Sequence, residues 1–322
     1  KMSKSVVYEN IPIIDISQFK TDQQTCVQQT KDACENLGFF YVKNHGISQE
    51  KIAEIFNISK LYFEQQPQEE KLKYSMNERY HGYAGMCAEN LDTKRTNGDV
   101  KECFTFGGFN DNNEAITQVL PPFFEERTES IASFFRECHN LCSKIFQILA
   151  IALEIPQSEG GMHWLEERHR SSTNTCMRFH HYPSMDKFDP DEIRAGSHTD
   201  YGSITILFQK DIGGLEIQPP GTDKWFPVPI IPNHLLINIA DCLSFWTKGL
   251  FKSIVHRVSF DDENFGLNRY SIAYFCTAGI DIKLEPVPSK LIPVSGNNKD
   301  EEILTAGEHL MRRAKAAYGS TK

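Results

Sequence analysis

The chain has no surplus of positive charge, no paired cysteine motif and no apolar run long enough to cross a bilayer, and each absence removes a class of function. Its 322 residues include 43 acidic and 34 basic side chains, a net charge of -9 with histidine neutral. Nucleic-acid binding needs a basic face, so no nucleic-acid partner is expected. The nine cysteines are odd in number, scattered and without a CxxC pair. That usage argues against a disulfide-stapled secreted scaffold and suits a reducing compartment, where thiols act as small apolar groups. The most apolar stretch, "IFQILAIALEI", is too short to span a membrane. The opening "KMSKSVVYENIP" has no apolar centre of a signal peptide. A cytoplasmic protein with no membrane partner is the expectation.

Repeats, low-complexity segments and Gly/Ser linkers are also missing, which favours one integrated unit. Residues 1–120 form its N-terminal region, and residues 121–322 hold a long helix, a β-rich core and a closing helix. "IPIIDIS" (Ile11 to Ser17) alternates like a short strand. Residues 22–37 have a helical pattern stopped by Gly38, and "FFYVKNHG" reads as a second strand ending in a turn at Gly46. Residues 49–64 and 123–154 carry helical periodicity. In the second, Ile131, Phe134, Phe135, Cys138, Leu141, Cys142, Ile145 and Leu149 keep the i, i+3, i+4 spacing of one buried face. From Asn174 the texture changes to short β-rich runs between turn signals: "NTCMRFHHYP", "SITILFQ", "GLEIQPP", "KWFPVP", "HLLINIA", "SIVHRVSF" and "RYSIAYFC". Such spacing predicts a sandwich or barrel, with the helical half packed against it. "EEILTAGEHLMRRAKAAYG" reads as the closing helix.

Three residues in this β-rich part point to chemistry. In "GSHTDYGSITILFQ", His198 and Asp200 stand two apart, on one face if that segment is a strand. Such a pair can be hydrogen-bonded, half of a general-base arrangement, or two of three metal ligands. His256 in "KSIVHRVSF" supplies a distant second imidazole. Two imidazoles and a carboxylate make the facial set of non-haem iron(II), which leaves positions open for co-substrate and oxygen. Zinc could use the same donors, but the HExxH pattern of zinc hydrolases is absent. Further on, Arg269 and Ser271 in "NRYSIAYF" share a strand face with Ala273 and Phe275. A guanidinium beside a hydroxyl forms a fork for a carboxylate.

Together these segments resemble the iron(II)/2-oxoglutarate-dependent dioxygenases of the isopenicillin N synthase-like group, over nearly the whole chain. "IPIIDIS", "ACENLGFFYVKNHGIS" and "DVKECFTFG" are similar to its N-terminal region. "RFHHYP", "GSHTDYGSITIL", "GGLEI", "LLINIADCLSFWTKGLFKSIVHRV" and "RYSIAYF" are similar to its core. The resemblance implies a mainly β fold with α-helices: a double-stranded β-helix (jelly roll) core, a helical N-terminal region and a C-terminal helix. It implies iron(II) on His198, Asp200 and His256, and 2-oxoglutarate held at its distal carboxylate by Arg269, Ser271 and Tyr182. His180 stands where many members have asparagine, and Asn238 matches a position behind the metal ligands.

The implied reaction consumes oxygen and 2-oxoglutarate, releases succinate and carbon dioxide, and oxidises a C–H bond of a small molecule. Ascorbate is the expected reductant in vitro. Hydroxylation is the default outcome; desaturation and cyclisation share its start. Two other readings stay open at this point. One is an iron oxidase of the same fold that turns its Arg and Ser to a substrate carboxylate. The other is a binding protein without chemistry. The polar and aromatic segment "ERYHGYAGMCAENLDTKRTNGDVKECFTFGG" suggests a substrate entrance, with Tyr83, Phe104 and Phe275 as candidate pocket residues. A monomer or weak oligomer is expected.

Overall fold

In the computed structural model, residues 11–318 are described apart from 93–94, 96, 171–173, 188, 190–192, 261–262 and 293–302. Residues 1–10, part of the segment read for a leader, lie outside the described residues, as do the ends of the closing-helix segment at 301–302 and 319. The N-terminal part supplies β1 (Ile13–Asp15), α1 (Gln18–Thr21), α2 (Gln23–Asn36), β2 (Phe39–Lys43), α3 (Gln49–Gln65), α4 (Gln68–Leu72), β3 (Gly82–Ala84) and β4 (Glu102–Phe106). Helices α5 (Pro122–Glu125), α6 (Thr128–Ala152) and α7 (Trp164–His169) follow. Then come β5 (Cys176–Tyr182), β6 (Ile193–His198), β7 (Ile204–Gln209), β8 (Leu215–Ile217), β9 (Phe226–Pro227) and β10 (Leu235–Ile239). The chain continues through α8 (Asp241–Trp246), β11 (His256–Ser259), β12 (Arg269–Cys276) and α9 (Ala306–Tyr318). None of the described helices is long and apolar enough to cross a membrane.

The strands make two sheets, as a jelly roll requires. The larger has eight strands in the order β1-β2-β10-β7-β12-β5-β4-β3, and the smaller has four in the order β6-β11-β8-β9. Strands of the N-terminal part therefore form both edges of the large sheet, with β10, β7, β12 and β5 between them. One of its faces is covered by α6, where Phe134 lies 5.0 Å from Phe208 and Phe135 lies 4.9 Å from Tyr274, ring centre to ring centre. Its other face and the small sheet enclose a cavity. The helical stripe expected from Ile131 to Leu149 is buried throughout.

Local signals account for most boundaries. The Asp22 side chain accepts the Thr25 N–H at 3.3 Å and starts α2, and Ser48 caps α3 by accepting the Lys51 N–H at 3.1 Å. Gly38 ends the α2 segment with φ +75°, and a Cβ there would stand 1.9 Å from the Lys252 carbonyl oxygen. Only glycine fits such a position. The predicted helix over 123–154 is divided, because Arg127 leaves helical geometry (φ -118°, ψ 12°). The Thr128 hydroxyl there donates to the carbonyls of Phe124 and Glu125. The break lets Phe124 stack on Tyr62 at 4.3 Å.

Each of the seven β-rich runs contains a strand, but β3, β4 and β6 are additional to that reading. β6, "IRAGSH", has little β-propensity and pairs with β11 through register shifts. β4 corrects the expected substrate entrance. Alternation along it sends Thr105 to the cavity and Phe104 to the opposite face. Phe104 is fully buried between Tyr62, Phe106 and Phe124. Tyr83 is buried too, and its hydroxyl donates to Glu102 at 2.5 Å. The same carboxylate takes Lys71 at 2.7 Å and His181 at 2.8 Å. Neither Tyr83 nor Phe104 is among the residues lining the cavity, whereas Phe275 is. Phe104→Ala should therefore cost about 3–5 kcal/mol of stability in denaturant titration and leave substrate preference unchanged.

Candidate active site

His198 ends β6, His256 begins β11, and the two residues pair directly across the small sheet. Asp200 is not on the strand with His198, as the two-residue spacing suggested; it lies in the turn that follows. That turn carries the carboxylate back to 3.8 Å from His198 Nε2 and 3.6 Å from His256 Nε2. One donor atom from each of the three lies within 4.8 Å of the others, the spacing needed to hold a cation.

The atoms behind this set fit a metal. His198 Nδ1 donates to the Gly196 carbonyl at 2.7 Å and His256 Nδ1 to the Ile254 carbonyl at 3.3 Å, which turns both Nε2 atoms inward. Asp200 Oδ2 accepts from Thr205 at 2.7 Å and from Asn238 at 2.9 Å, leaving Oδ1 toward the imidazoles. Burial together with neighbouring His256 pushes His198 down to about 3, so its ring is neutral and has a lone pair to give. Burial opposes the Asp200 charge, but His256, His198 and the Thr205 hydrogen bond hold its pKa well below the usual carboxylate range. Asn238, which the resemblance places behind the three clustered residues, is in hydrogen-bond contact with Asp200.

The far end of the cavity is built on β12 and β5. Arg269 and Ser271 share a face as read, with Arg269 opposite Tyr182 and Ser271 opposite His180. Arg269 is only 1% exposed. It donates to Ser271 at 3.3 Å and Gln209 at 3.2 Å, and its Cζ lies 4.9 Å from the Tyr182 ring centre. Its Nε has no partner, and no carboxylate pairs with it among the described residues. A buried guanidinium in that state fits an incoming carboxylate. His180 is buried in the same wall with Nδ1 unpartnered. Burial and then the nearby Arg178 and Lys101 push it well below the ordinary histidine value, so it is neutral.

The cavity measures about 540 Å³, within the size that holds small ligands. Its wall also contains groups that sequence reasoning left unassigned. Lys101 is buried and binds Glu89 at 2.7 Å and Asp99 at 3.3 Å. Arg178 binds Glu89 at 3.0 Å and the Thr105 hydroxyl at 2.8 Å. Asp99 also accepts the Gly196 N–H at 2.8 Å, tying this network to the strand of His198. Their spacing in the chain gives no signal of it, beyond the quoted "DVKE". At the mouth, Arg313 of α9 binds Asp241 at 2.6 Å and Thr199, between the two ligand positions, at 2.9 Å.

Comparison with known proteins identifies the class. Residues 11–122 match the model for the N-terminal region of non-haem dioxygenases in morphine synthesis, and residues 173–278 match the 2OG-Fe(II) oxygenase superfamily. The chain belongs to that superfamily and is an iron(II)- and 2-oxoglutarate-dependent dioxygenase. It is 37% identical to the UPF0676 protein C1494.01 of Schizosaccharomyces pombe, covering 96% of this chain and 93% of that one. It is 28% identical to the 2-oxoglutarate-dependent dioxygenase tropC of Talaromyces stipitatus, covering 98% of each. A full-length Neurospora crassa protein, solved in complex with alpha-KG and 5-formyluracil, superposes with a TM-score of 0.81 at 26% identity, over 98% of this chain and 100% of that one.

Metal binding by equilibrium dialysis checks the site without reference to turnover. His198→Ala should keep the fold, by circular dichroism, and lose divalent metal. Asn238→Ala should bind it about 10–100-fold more weakly, the usual effect of removing a group that orients a ligand.

Proposed function

We propose that His198, Asp200 and His256 hold the iron(II), and that Arg269, Ser271 and Tyr182 hold the distal carboxylate of 2-oxoglutarate. The observation that carries this reading is the buried Arg269, without a carboxylate partner among the described residues, in the same cavity as the three clustered donors. Bound iron(II), with 2-oxoglutarate and oxygen, supplies oxidative decarboxylation to succinate and carbon dioxide. One oxygen atom enters succinate and the other is available to the substrate, as in hydroxylation. Desaturation and cyclisation are further outcomes open to such a centre.

The chain's own residues orient and shield. Thr205 and Asn238 hold one oxygen of Asp200 so that the other faces the metal position. The Gly196 and Ile254 carbonyls fix the ring orientation of the two histidines. Phe39 packs edge-on against His256 at 5.7 Å and excludes water from behind it. His180, neutral and lining the cavity beside Tyr182, gives the co-substrate a hydrogen-bonding wall without adding charge.

The organic substrate is a small molecule entering past Phe275. Solved complexes of the Neurospora crassa protein contain thymine or 5-formyluracil beside alpha-KG, which supports a substrate of that size. Nine free cysteines fit a reducing, cytoplasmic setting. Exposed apolar side chains such as Leu72, Val119 and Leu267 lie on different segments, which favours a monomer or weak oligomer.

Succinate formation against 2-oxoglutarate concentration, with iron(II) and ascorbate present, tests the assignment. Removing one partner of a buried charge pair costs about 3–5 kcal/mol, so Arg269→Gln should raise the 2-oxoglutarate requirement at least about a hundredfold with metal binding nearly intact. Ser271→Ala, losing one hydrogen bond to a charged group, should cost about 1.5–3 kcal/mol. Substrate oxidation at full rate without 2-oxoglutarate would sink the assignment in favour of an oxidase that uses Arg269 for its substrate.

A further inference from the structure

A buried polar row lies on the reverse side of the sheet, directly behind Arg269 and Tyr182. Glu102 of β4, His181 of β5 and Tyr270 of β12 stand side by side across the three strands. Arg269 and Tyr182 pair with each other one position on, so their side chains point to the opposite, cavity face. The His181 ring is buried and stacks on Tyr270 at 4.9 Å and on Phe63 of α3 at 5.5 Å. Its Nδ1 faces Glu102 at 2.8 Å. Burial opposes the Glu102 charge, but hydrogen bonds from His181, Lys71 and Tyr83 hold its carboxyl below the usual range, so it is an acceptor. Glu64 of α3 accepts from the Tyr270 hydroxyl at 2.9 Å and completes the charged groups around the ring.

The other ring nitrogen, Nε2, faces the side-chain oxygen of Asn268 at 3.1 Å. The orientation of that carboxamide is set independently, because the same oxygen accepts the Ser184 N–H at 3.0 Å. Turning the amide over would set its NH2 against a backbone N–H. Both ring nitrogens of His181 therefore meet acceptors, and only the doubly protonated ring donates at both. Asn268 immediately precedes Arg269, and Ser184 stands two residues after Tyr182. A proton on His181 thus fastens the buried row to the two chain segments that carry Arg269 and Tyr182. Asn268 is exposed, so solvent reaches that end of the contact.

We infer that His181 is a positioning residue for the co-substrate: in its charged form it holds Asn268 and Ser184, and through them Arg269 and Tyr182, in the geometry that receives the distal carboxylate of 2-oxoglutarate. As pH rises, Glu102 keeps the proton on Nδ1 and Nε2 gives its proton up. Nε2 and the Asn268 oxygen are then two acceptors in contact, and Asn268 is released. Affinity for 2-oxoglutarate is therefore greatest where the ring is charged and declines with rising pH. By linkage, bound 2-oxoglutarate in turn favours the charged ring. This rests on the co-substrate reading given above, and the test separates the two.

Anaerobic titration of the iron(II) protein with 2-oxoglutarate, followed by visible charge-transfer absorption, gives the dissociation constant over about pH 6–8.5, a range that brackets ordinary histidine titration. Wild-type affinity should fall about 2–10-fold across it, the worth of one net hydrogen bond. Asn268→Asp keeps an oxygen for Ser184 and adds a charge beside Nε2. It should bind 2-oxoglutarate as the wild type does at the acid end and move the fall upward by on the order of one pH unit. A merely structural role for His181 would leave that midpoint where it is. His181→Phe, which keeps the ring stacking, should bind divalent metal normally and hold 2-oxoglutarate at the weaker, alkaline level at every pH. No fall in wild-type affinity, an Asn268→Asp midpoint equal to that of the wild type, or an unchanged pH dependence in His181→Phe overturns the inference. Should His181→Phe fail to fold, the Asn268→Asp midpoint decides alone. The co-substrate reading fails separately: Arg269→Gln would then bind 2-oxoglutarate as tightly as the wild type, whatever the His181 and Asn268 variants do.

Discussion

The carboxylate of Asp200 joins the two sheets of this protein, and the site depends on how its two oxygens are divided. Oδ2 belongs to the large sheet, through Thr205 on β7 and Asn238 on β10. Oδ1 faces the imidazoles of the small sheet. Hydrogen bonds to a buried ionised group are strong and directional, so the division is fixed before any ligand arrives. A cation bound there would bridge the sheets and add its binding free energy to folding.

The polar contents of the cavity follow from the same geometry. Successive inward positions on β5 and β12 place Tyr182, His180 and Arg178 against Arg269, Ser271 and Ala273. Each side chain is two residues from the next along its strand, which spaces the functions along one wall. The charged groups near the metal end are internally matched, whereas Arg269 is not. The result is a wall in which a buried guanidinium without a carboxylate partner among the described residues stands beside neutral polar side chains.

How much of this could be read from the sequence depended on whether a signal was local. Arg269 and Ser271 lie on a long, plainly alternating strand, so their shared face followed from the pattern. His198, Asp200 and His256 stand out by type and spacing, yet Asp200 lies beyond the end of β6 and not on the strand face that its spacing suggests. Tyr83 and Phe104 lie on the short strands β3 and β4, which carry no long alternating run even though Asn97-Gly98 and Gly107-Gly108 bracket β4. A strand that is not recognised hides which of its residues face inward. The T-x-x-E capping box of α9 was present in the sequence, and Thr305 and Glu308 form it. The grip of Arg313 on Asp241 and Thr199 spans too much chain to leave any local trace.

The alternation of β4 separates two kinds of heritable change. Phe104 and Thr105 are covalent neighbours, but one answers to packing against α5 and the other to the shape of the cavity. Variation at inward positions of β4 and β5 outside the proposed co-substrate wall could explore new ligands while the aromatic layer behind them keeps the scaffold standing. A mutational library aimed at altered substrate scope would therefore gain by sampling Thr105 and Cys176 and leaving Phe104, Phe106, His180 and Tyr182 untouched. Diversification of chemistry on this framework then becomes a matter of strand parity.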